Sequence, residues 1–134
     1  MWTTIATLAE KLSRRYSGRL SLQRSHPTPD GTAVRDYIRV SDLASAQVLA
    51  LCKLLKGTPG HALNLGIARE FSVFEIVNAD ECVSGQRPQR ISAQRRAGNL
   101  PILIADSATP IAALGWKPAR SAVDDIISDA LNWE

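Results

Sequence analysis

One segment of this chain constrains its fold more than any other: a helix with no polar face. Between Asp42 and Leu55 the sequence places Leu43, Ala44, Ala46, Val48, Leu49, Leu51, Cys52, Leu54 and Leu55. A helix of that kind is normally buried on most sides, so other elements must surround it. Ser41 or Asp42 suits its N-cap, and Gly57 followed by Pro59 suits its end. Upstream, Pro27, Pro29, Asp30 and Gly31 spell a turn, because proline fixes φ and Gly31 can take positive φ. Val34 to Val40 then reads as a strand, with Val34, Ile38 and Val40 on one face.

The rest of the chain supplies candidates to cover that helix. Ile5, Leu8, Ala9, Leu12 and Tyr16 predict an amphipathic helix over 3–16, with Thr3, Thr4 or Thr7 as cap. Leu20 and Leu22 alternate as in a short strand, and His61–Leu65 reads as another. Ser72 and Glu75 form a capping box, with Phe71 and Ile76 at the staple positions. Val73, Ile76, Val77 and Val83 make that helix's inner face, and Gly85 ends it. Asp80 falls on the same face, a local inconsistency. Residues 89–93 suit a strand, and Ile102–Ile104 a buried strand or an extended segment. Thr109 and Pro110 suit the cap and first position of a short helix stopped at Gly115, before Trp116. Ser121 caps a last helix whose stripe is Val123, Ile126, Ile127, Ala130 and Leu131. The order of elements is that of a mixed α/β fold with about five helices and four short strands.

A length of 134 residues, 45% hydrophobic and 22% charged, fits one soluble domain over 1–134. The net charge of +3 is mild and the arginines are scattered, so nucleic acid is not an expected partner. Cys52 and Cys82 have no metal-type spacing, and Cys52 is expected in the core. With His26 and His61 far apart, no zinc site is expected. No apolar run is long enough to span a membrane, and Thr3–Glu10 is too polar for a signal peptide. A cytoplasmic protein is the expectation.

Catalytic motifs are missing from these residues. There is no GxGxxG or GxxGxxG after a strand, no GxxxxGK[ST] loop and no GxSxG elbow. No YxxxK occurs, since Tyr16 is followed by Leu20 and Tyr37 by Ser41. Asp124 and Asp125 suit a helix N-terminus, where they complement its dipole. No catalytic residue is expected. What remains are arginines that could grip phosphate: Arg35 entering the central strand, and Arg95 and Arg96 ahead of Gly98.

Several segments, in one order and one register, resemble UDP-glucose 4-epimerases of the extended short-chain dehydrogenase/reductase group. PTPDGTAVRDYIRVSDLASAQVLAL is similar to their PTxDGTxxRDYIHVxDLAxAHxxAL. HALNLG is similar to xxYNLG, and SVFEIVNADECVSG to SVLEVxxAFExxSG. The ending from Arg95 to Trp133 is similar to RRxGDxxxxxADxxKAxxELGWxxxxxLxxxxxDxWxW. The likeness runs from about His26 to Trp133, and residues 1–25 diverge.

The resemblance implies the C-terminal, substrate-binding part of such an epimerase, without the N-terminal Rossmann part that holds NAD. It implies a half that binds UDP-glucose or UDP-galactose and is inactive alone, with no cofactor of its own. Arg35 stands at the RDY arginine and Arg96 at the second arginine of RRxGD, both implied to reach the diphosphate. Asn99 stands at the aspartate of that motif, near the ribose hydroxyls. Leu103 stands where many members have tyrosine, and Leu22, Gln23 and His26 replace phenylalanine, glycine and tyrosine of FGxDYPT. Asp80 replaces a phenylalanine, and Ile111, Ala112 and Ala113 replace charged residues. In the family the segment Val34–Leu55 belongs to the Rossmann layer. It is therefore expected to pack on the first helix, on a second copy, or on a separate Rossmann-type chain. The alternative is a non-catalytic interaction module on the same scaffold.

Overall fold

The computed structural model describes residues 19–67, 69–119 and 122–132. The helix expected over 3–16 and the Ser121 cap lie outside them. The described elements are β1 (Arg19–Gln23), β2 (Val34–Asp36), α1 (Val40–Leu55), β3 (Glu70–Ser72), α2 (Val73–Ser84), β4 (Gln89–Ala93), β5 (Ile102–Leu103), α3 (Ala108–Leu114) and α4 (Val123–Asn132). They form two small sheets. β1 and β4 run parallel, with Arg19 opposite Gln89 and Gln23 opposite Ala93. The other sheet has the order β3-β2-β5, with β2 antiparallel to β3 and parallel to β5.

The core lies where α2 and α4 cover β1. Leu20, Leu22, Tyr37, Ile76, Val77 and Ile126 are buried together, with Phe71, Val73, Phe74, Val123 and Ala130 packed around them. Both helices stand where their spacing places them, although Val83 of α2 is exposed instead of lying on the inner face. The Ser72 hydroxyl accepts from Glu75 N–H, the Glu75 carboxylate accepts from Ser72 N–H, and Gly85 closes α2 at φ 68°. Gly115 closes α3 in the same way.

Other boundaries differ from the sequence reading. β2 stops at Asp36, and α1 begins at Val40 with Arg39 as an N-cap that makes no side-chain cap bond. Asp42 sits inside the first turn instead, where its carboxylate accepts from Ala119 N–H. His61–Leu65 is not a strand; the residue pairing with β2 comes later, in β3. α3 begins at Ala108, because Asp106 accepts from Ala108 N–H and from the Thr109 hydroxyl. Pro110 therefore lies inside the first turn.

The largest departure concerns α1. Only Asp42 and Ala46 of that helix are buried, while Val48, Leu51, Leu54 and Leu55 are exposed, and so is Cys52. What fixes α1 is polar. The Trp116 indole, fully buried, donates to the Asp42 carbonyl at 3.1 Å and the Ser45 hydroxyl at 2.9 Å. Lys53 donates to the Ala113 carbonyl, and Arg39 pairs with Asp129 of α4. β5 is exposed as well, with Ile102 at 54% and Leu103 at 51%, so it is not a buried strand.

Gly66 is required by close approach. A Cβ there would lie 2.1 Å from the Asp36 carboxylate and 2.8 Å from the Ala105 Cβ. Gly66→Ala should cost about 1–3 kcal/mol in chemical denaturation, as for overpacking of a tight site.

Asp80 is 2% exposed, and one of its carboxylate oxygens has no hydrogen-bond partner. Burial pushes its carboxyl up from the ordinary range, and Glu81 adds to the effect against a hydrogen bond from Ser84. The folded state thus holds this proton more tightly than the unfolded one. Stability falls as pH rises from the ordinary carboxylate range through the raised folded value. Asp80→Asn should therefore stabilise the fold at neutral pH by about 1–2 kcal/mol. The gain should vanish below the ordinary carboxylate range, as read from unfolding midpoints across pH.

Candidate functional site

The turn after β1 brings the expected site residues together. Gly31 takes φ +77° there, and a Cβ at that position would lie 2.8 Å from the Arg24 carbonyl oxygen. The closed turn returns the chain into β2, whose parallel neighbour β5 is entered through residues 99–101. Arg35 on β2 reaches that segment. Its Nη2 donates to Asn99 Oδ1 at 2.6 Å and to the Leu100 carbonyl at 2.8 Å. Its Nη1 donates to the Val34 carbonyl at 2.7 Å and the Pro101 carbonyl at 3.4 Å. Both Nη groups are thus committed to protein acceptors, and Arg35 works as a clamp on the entry to β5.

Asn99 is the hub of the cluster. Its amide Nδ2 donates to Gln23 Oε1 at 3.0 Å, which joins the end of β1 to the start of β5. Arg95 donates through Nε and Nη2 to the Asn99 carbonyl, at 3.2 and 2.7 Å. The Asn99 N–H donates to the Arg96 carbonyl at 3.2 Å, closing a turn through Gly98 at φ +81°. Arg96 itself is exposed, and its side chain makes no hydrogen bond or ion pair among the described residues. Arg35 and Asn99 are therefore in direct contact, and Arg96 sits on the same turn with its guanidinium toward solvent.

Beside this turn lies an open cleft of about 500 Å³ lined by Arg24, Ser25, Ser92, Ala93, Gln94 and Arg95. Sequence reasoning missed Arg24, Ser25, Ser92 and Gln94. They meet because β1 and β4 run parallel and end side by side, a pairing that no local pattern announces. Arg24 stacks over the Phe74 ring at 5.0 Å, as Arg90 does at 4.8 Å. Arg90 is held by Glu81 at 2.6 Å.

Two buried groups flank the cluster. His26 is 5% exposed, and neither ring nitrogen has a partner. Burial lowers its pKa, with the charges of Arg95 and Arg35 acting in the same direction, so the ring is held neutral. Tyr37 is buried, which pushes its phenol up to about 12 against the pull of Arg35. A tyrosine in that state does not serve as a base near neutral pH. The described residues do not fit NAD either. The passage from β2 to α1 runs through Tyr37, Ile38 and Arg39 with no glycine, so it cannot cradle a pyrophosphate at the helix N-terminus.

No family model matches the chain. It is similar to a UDP-glucose 4-epimerase of Lacticaseibacillus casei, 47% identical over 108 residues, which is 81% of this chain and 33% of that relative. The solved UDP-glucose 4-epimerase of Brucella ovis, in complex with NAD, superimposes with a TM-score of 0.87 at 35% identity, covering 99% of this chain and 41% of that one. The Stenotrophomonas maltophila enzyme, solved with bound NAD and formylated UDP-arabinopyranose, gives a TM-score of 0.82 at 37% identity, covering 96% and 37%. The chain thus spans about a third of the length of the relatives it matches.

The clamp makes a direct prediction. Asn99→Ala strands an Arg35 N–H and releases Gln23, so it should cost about 1–2 kcal/mol in chemical denaturation. Arg35→Lys should cost at least as much, because an ammonium cannot serve four acceptors arranged for a planar fork.

Proposed function

We propose that this chain, a homologue of one third of the UDP-glucose 4-epimerase polypeptide, is the UDP-sugar-binding part of an NAD-dependent sugar-nucleotide 4-epimerase. The observation that carries this reading is the convergence of Arg24, Arg35, Arg95 and Arg96 around one turn and one cleft. A nucleotide diphosphate carries two negative charges on closely spaced oxygens, which arginine forks match. Arg96 supplies an uncommitted guanidinium. Arg35 supplies positive charge from behind and holds the turn in place. Asn99 presents its second Nδ2 proton to a ribose hydroxyl, since the first goes to Gln23. The sugar classes that fit the homology are UDP-glucose and UDP-galactose.

Hydride transfer and proton abstraction belong, in this reading, to an NAD-binding segment outside these 134 residues. The supporting observation is the exposed apolar surface of α1 and β5. A sheet with parallel strands is normally covered on both faces, and here Ile102, Leu103 and the outer side of α1 are open. Val34–Leu55 is therefore the docking segment, for a Rossmann-type chain or for a second copy. The same surface is what favours the second reading, a non-catalytic interaction module.

Calorimetric titration of the folded chain with UDP-glucose tests the proposal. One-site binding is expected, weakened at least about tenfold, or 1.4 kcal/mol, in Arg96→Ala. No heat from a folded sample would displace this reading in favour of the interaction module.

A further inference from the structure

We infer that Arg24, braced on the Phe74 ring, is the guanidinium that grips a phosphate group entering the cleft at the ends of β1 and β4, with Phe74 as its positioning residue. This rests on the nucleotide-binding reading above and adds to it the residue that takes the anion and the part of the ligand it reads. The starting observation is a difference between two arginines that share one ring. The guanidinium carbons of Arg24 and Arg90 lie 5.0 and 4.8 Å from the Phe74 centroid. Arg90 is also paired with an acid. Its Nε and Nη2 donate to Glu81 Oε1 at 3.1 and 2.6 Å, and Nη2 donates to Asn78 Oδ1 at 2.9 Å. Arg24 has the ring alone. Among the described residues its side chain makes no hydrogen bond and no ion pair.

A guanidinium held in this way is placed without being committed. Attraction to a ring fixes the charge and leaves the N–H groups available to donate. Both ends of the contact are anchored. A Cβ at Gly31 would lie 2.8 Å from the Arg24 carbonyl oxygen, so the turn packs directly on the Arg24 backbone. The Phe74 N–H donates to the Thr32 hydroxyl at 3.2 Å, and its side chain packs against the buried core. Arg24 is exposed and lines the cleft, so a ligand reaches it directly.

The cleft around it is rich in donors. Arg95 gives Nε and Nη2 to the Asn99 carbonyl, which leaves Nη1. Ser25, Ser92 and Gln94 add hydroxyls and an amide, and among the described residues these side chains have no hydrogen-bond partner. No carboxylate lines the cleft. An uncharged sugar would leave both arginines unanswered, whereas a phosphate group offers several anionic acceptors to planar forks. The part of the ligand that this cleft reads is therefore the diphosphate. Phe74 stands where the motif SVLEV has leucine, so the brace is a feature of this chain.

Calorimetric titration of the full chain with UDP-glucose and with inorganic pyrophosphate tests this. Pyrophosphate should bind and should displace UDP-glucose. Arg24→Ala should weaken both ligands about tenfold. Phe74→Leu should weaken both about threefold, as for one cation–π contact at an exposed site, and Phe74→Trp should retain the affinity. In the Arg24→Ala background, Phe74→Leu should have no further effect, a coupling that general loosening of the fold would not produce. Unchanged UDP-glucose binding in Arg24→Ala, UDP-glucose binding that pyrophosphate does not displace, or equal losses from Phe74→Leu with and without Arg24 would overturn the inference and leave the nucleotide reading standing. Pyrophosphate binding that depends on Arg24, with no binding of UDP-glucose, would support the anion grip and overturn that reading. No binding of either ligand to the folded chain would overturn both.

Discussion

The carboxylate of Asp30 is the point on which the rest of this structure depends. One oxygen accepts from Thr32 N–H and from the Thr32 hydroxyl, each at 2.8 Å, and the other accepts from the Ser72 hydroxyl. The Ser72 oxygen in turn accepts from Glu75 N–H, and the Thr32 oxygen accepts from Phe74 N–H. A single charge therefore organises both the turn before β2 and the start of α2. Burial pushes its carboxyl up, but the hydrogen bonds from Ser72 and Thr32 outweigh that and hold it below the ordinary range. The amide groups at a helix N-terminus are unsatisfied donors, and here they are answered by a turn some forty residues away in sequence. That connection fixes β1, β2 and α2 relative to one another. Arg24 at the cleft, and Gln23 and Arg35 against Asn99, occupy their places as a consequence.

The arginine cluster shows how positive charge can be concentrated without matching carboxylates. Arg35 and Arg95 are held by carbonyls and an amide, which are neutral acceptors. An aspartate in place of Asn99 would pair with Arg35 and cancel part of the field at the turn. The amide keeps the geometry of a fork acceptor while leaving the field intact, and it gains a donor that Gln23 accepts. Arg24 is steadied over Phe74 instead of by an acid. Each device leaves the arginine charge unpaired by an acid. The cost is a patch of mutually repelling charges, and after burial, the larger cause, Arg95 and Arg35 lower the pKa of His26 further.

How much of this was legible in the sequence varied with how local the cause was. The capping box at Ser72, the glycine stops and the stripe of α4 depend on neighbours a few residues apart, and each stands where its pattern placed it. Strand ends did not, because β2, β3 and β5 are two or three residues long and defined by partners far away in the chain. The start of α1 was misread because Asp42 works as an acceptor for Ala119 rather than as a cap. Of the candidate site, Arg35 and Arg96 were legible as arginines suited to phosphate and again through family resemblance, and Asn99 through the resemblance alone. Their mutual contact was not, and neither was the cleft, since both arise from the parallel pairing of strands seventy residues apart. Asp80 was flagged by its position on an apolar face, and it is indeed buried with an oxygen unpaired.

Cys52 and α1 mark the opposite failure, and its cause is informative. Periodicity reports which residues avoid water, without naming what covers them. Among the described residues the apolar side chains include two groups. One is enclosed by β1, α2 and α4, and includes every large side chain of the central cluster. The other, on α1 and β5, is open, and α1 is fixed at its first turn and its last by Trp116 and Lys53 rather than by its apolar side chains. A helix anchored by polar groups at its ends and left apolar along its length keeps its orientation before anything docks on it. Covering it then releases water from an already ordered surface, with little further loss of backbone freedom. Among the described residues that surface stays open, and the relatives this chain matches are about three times its length.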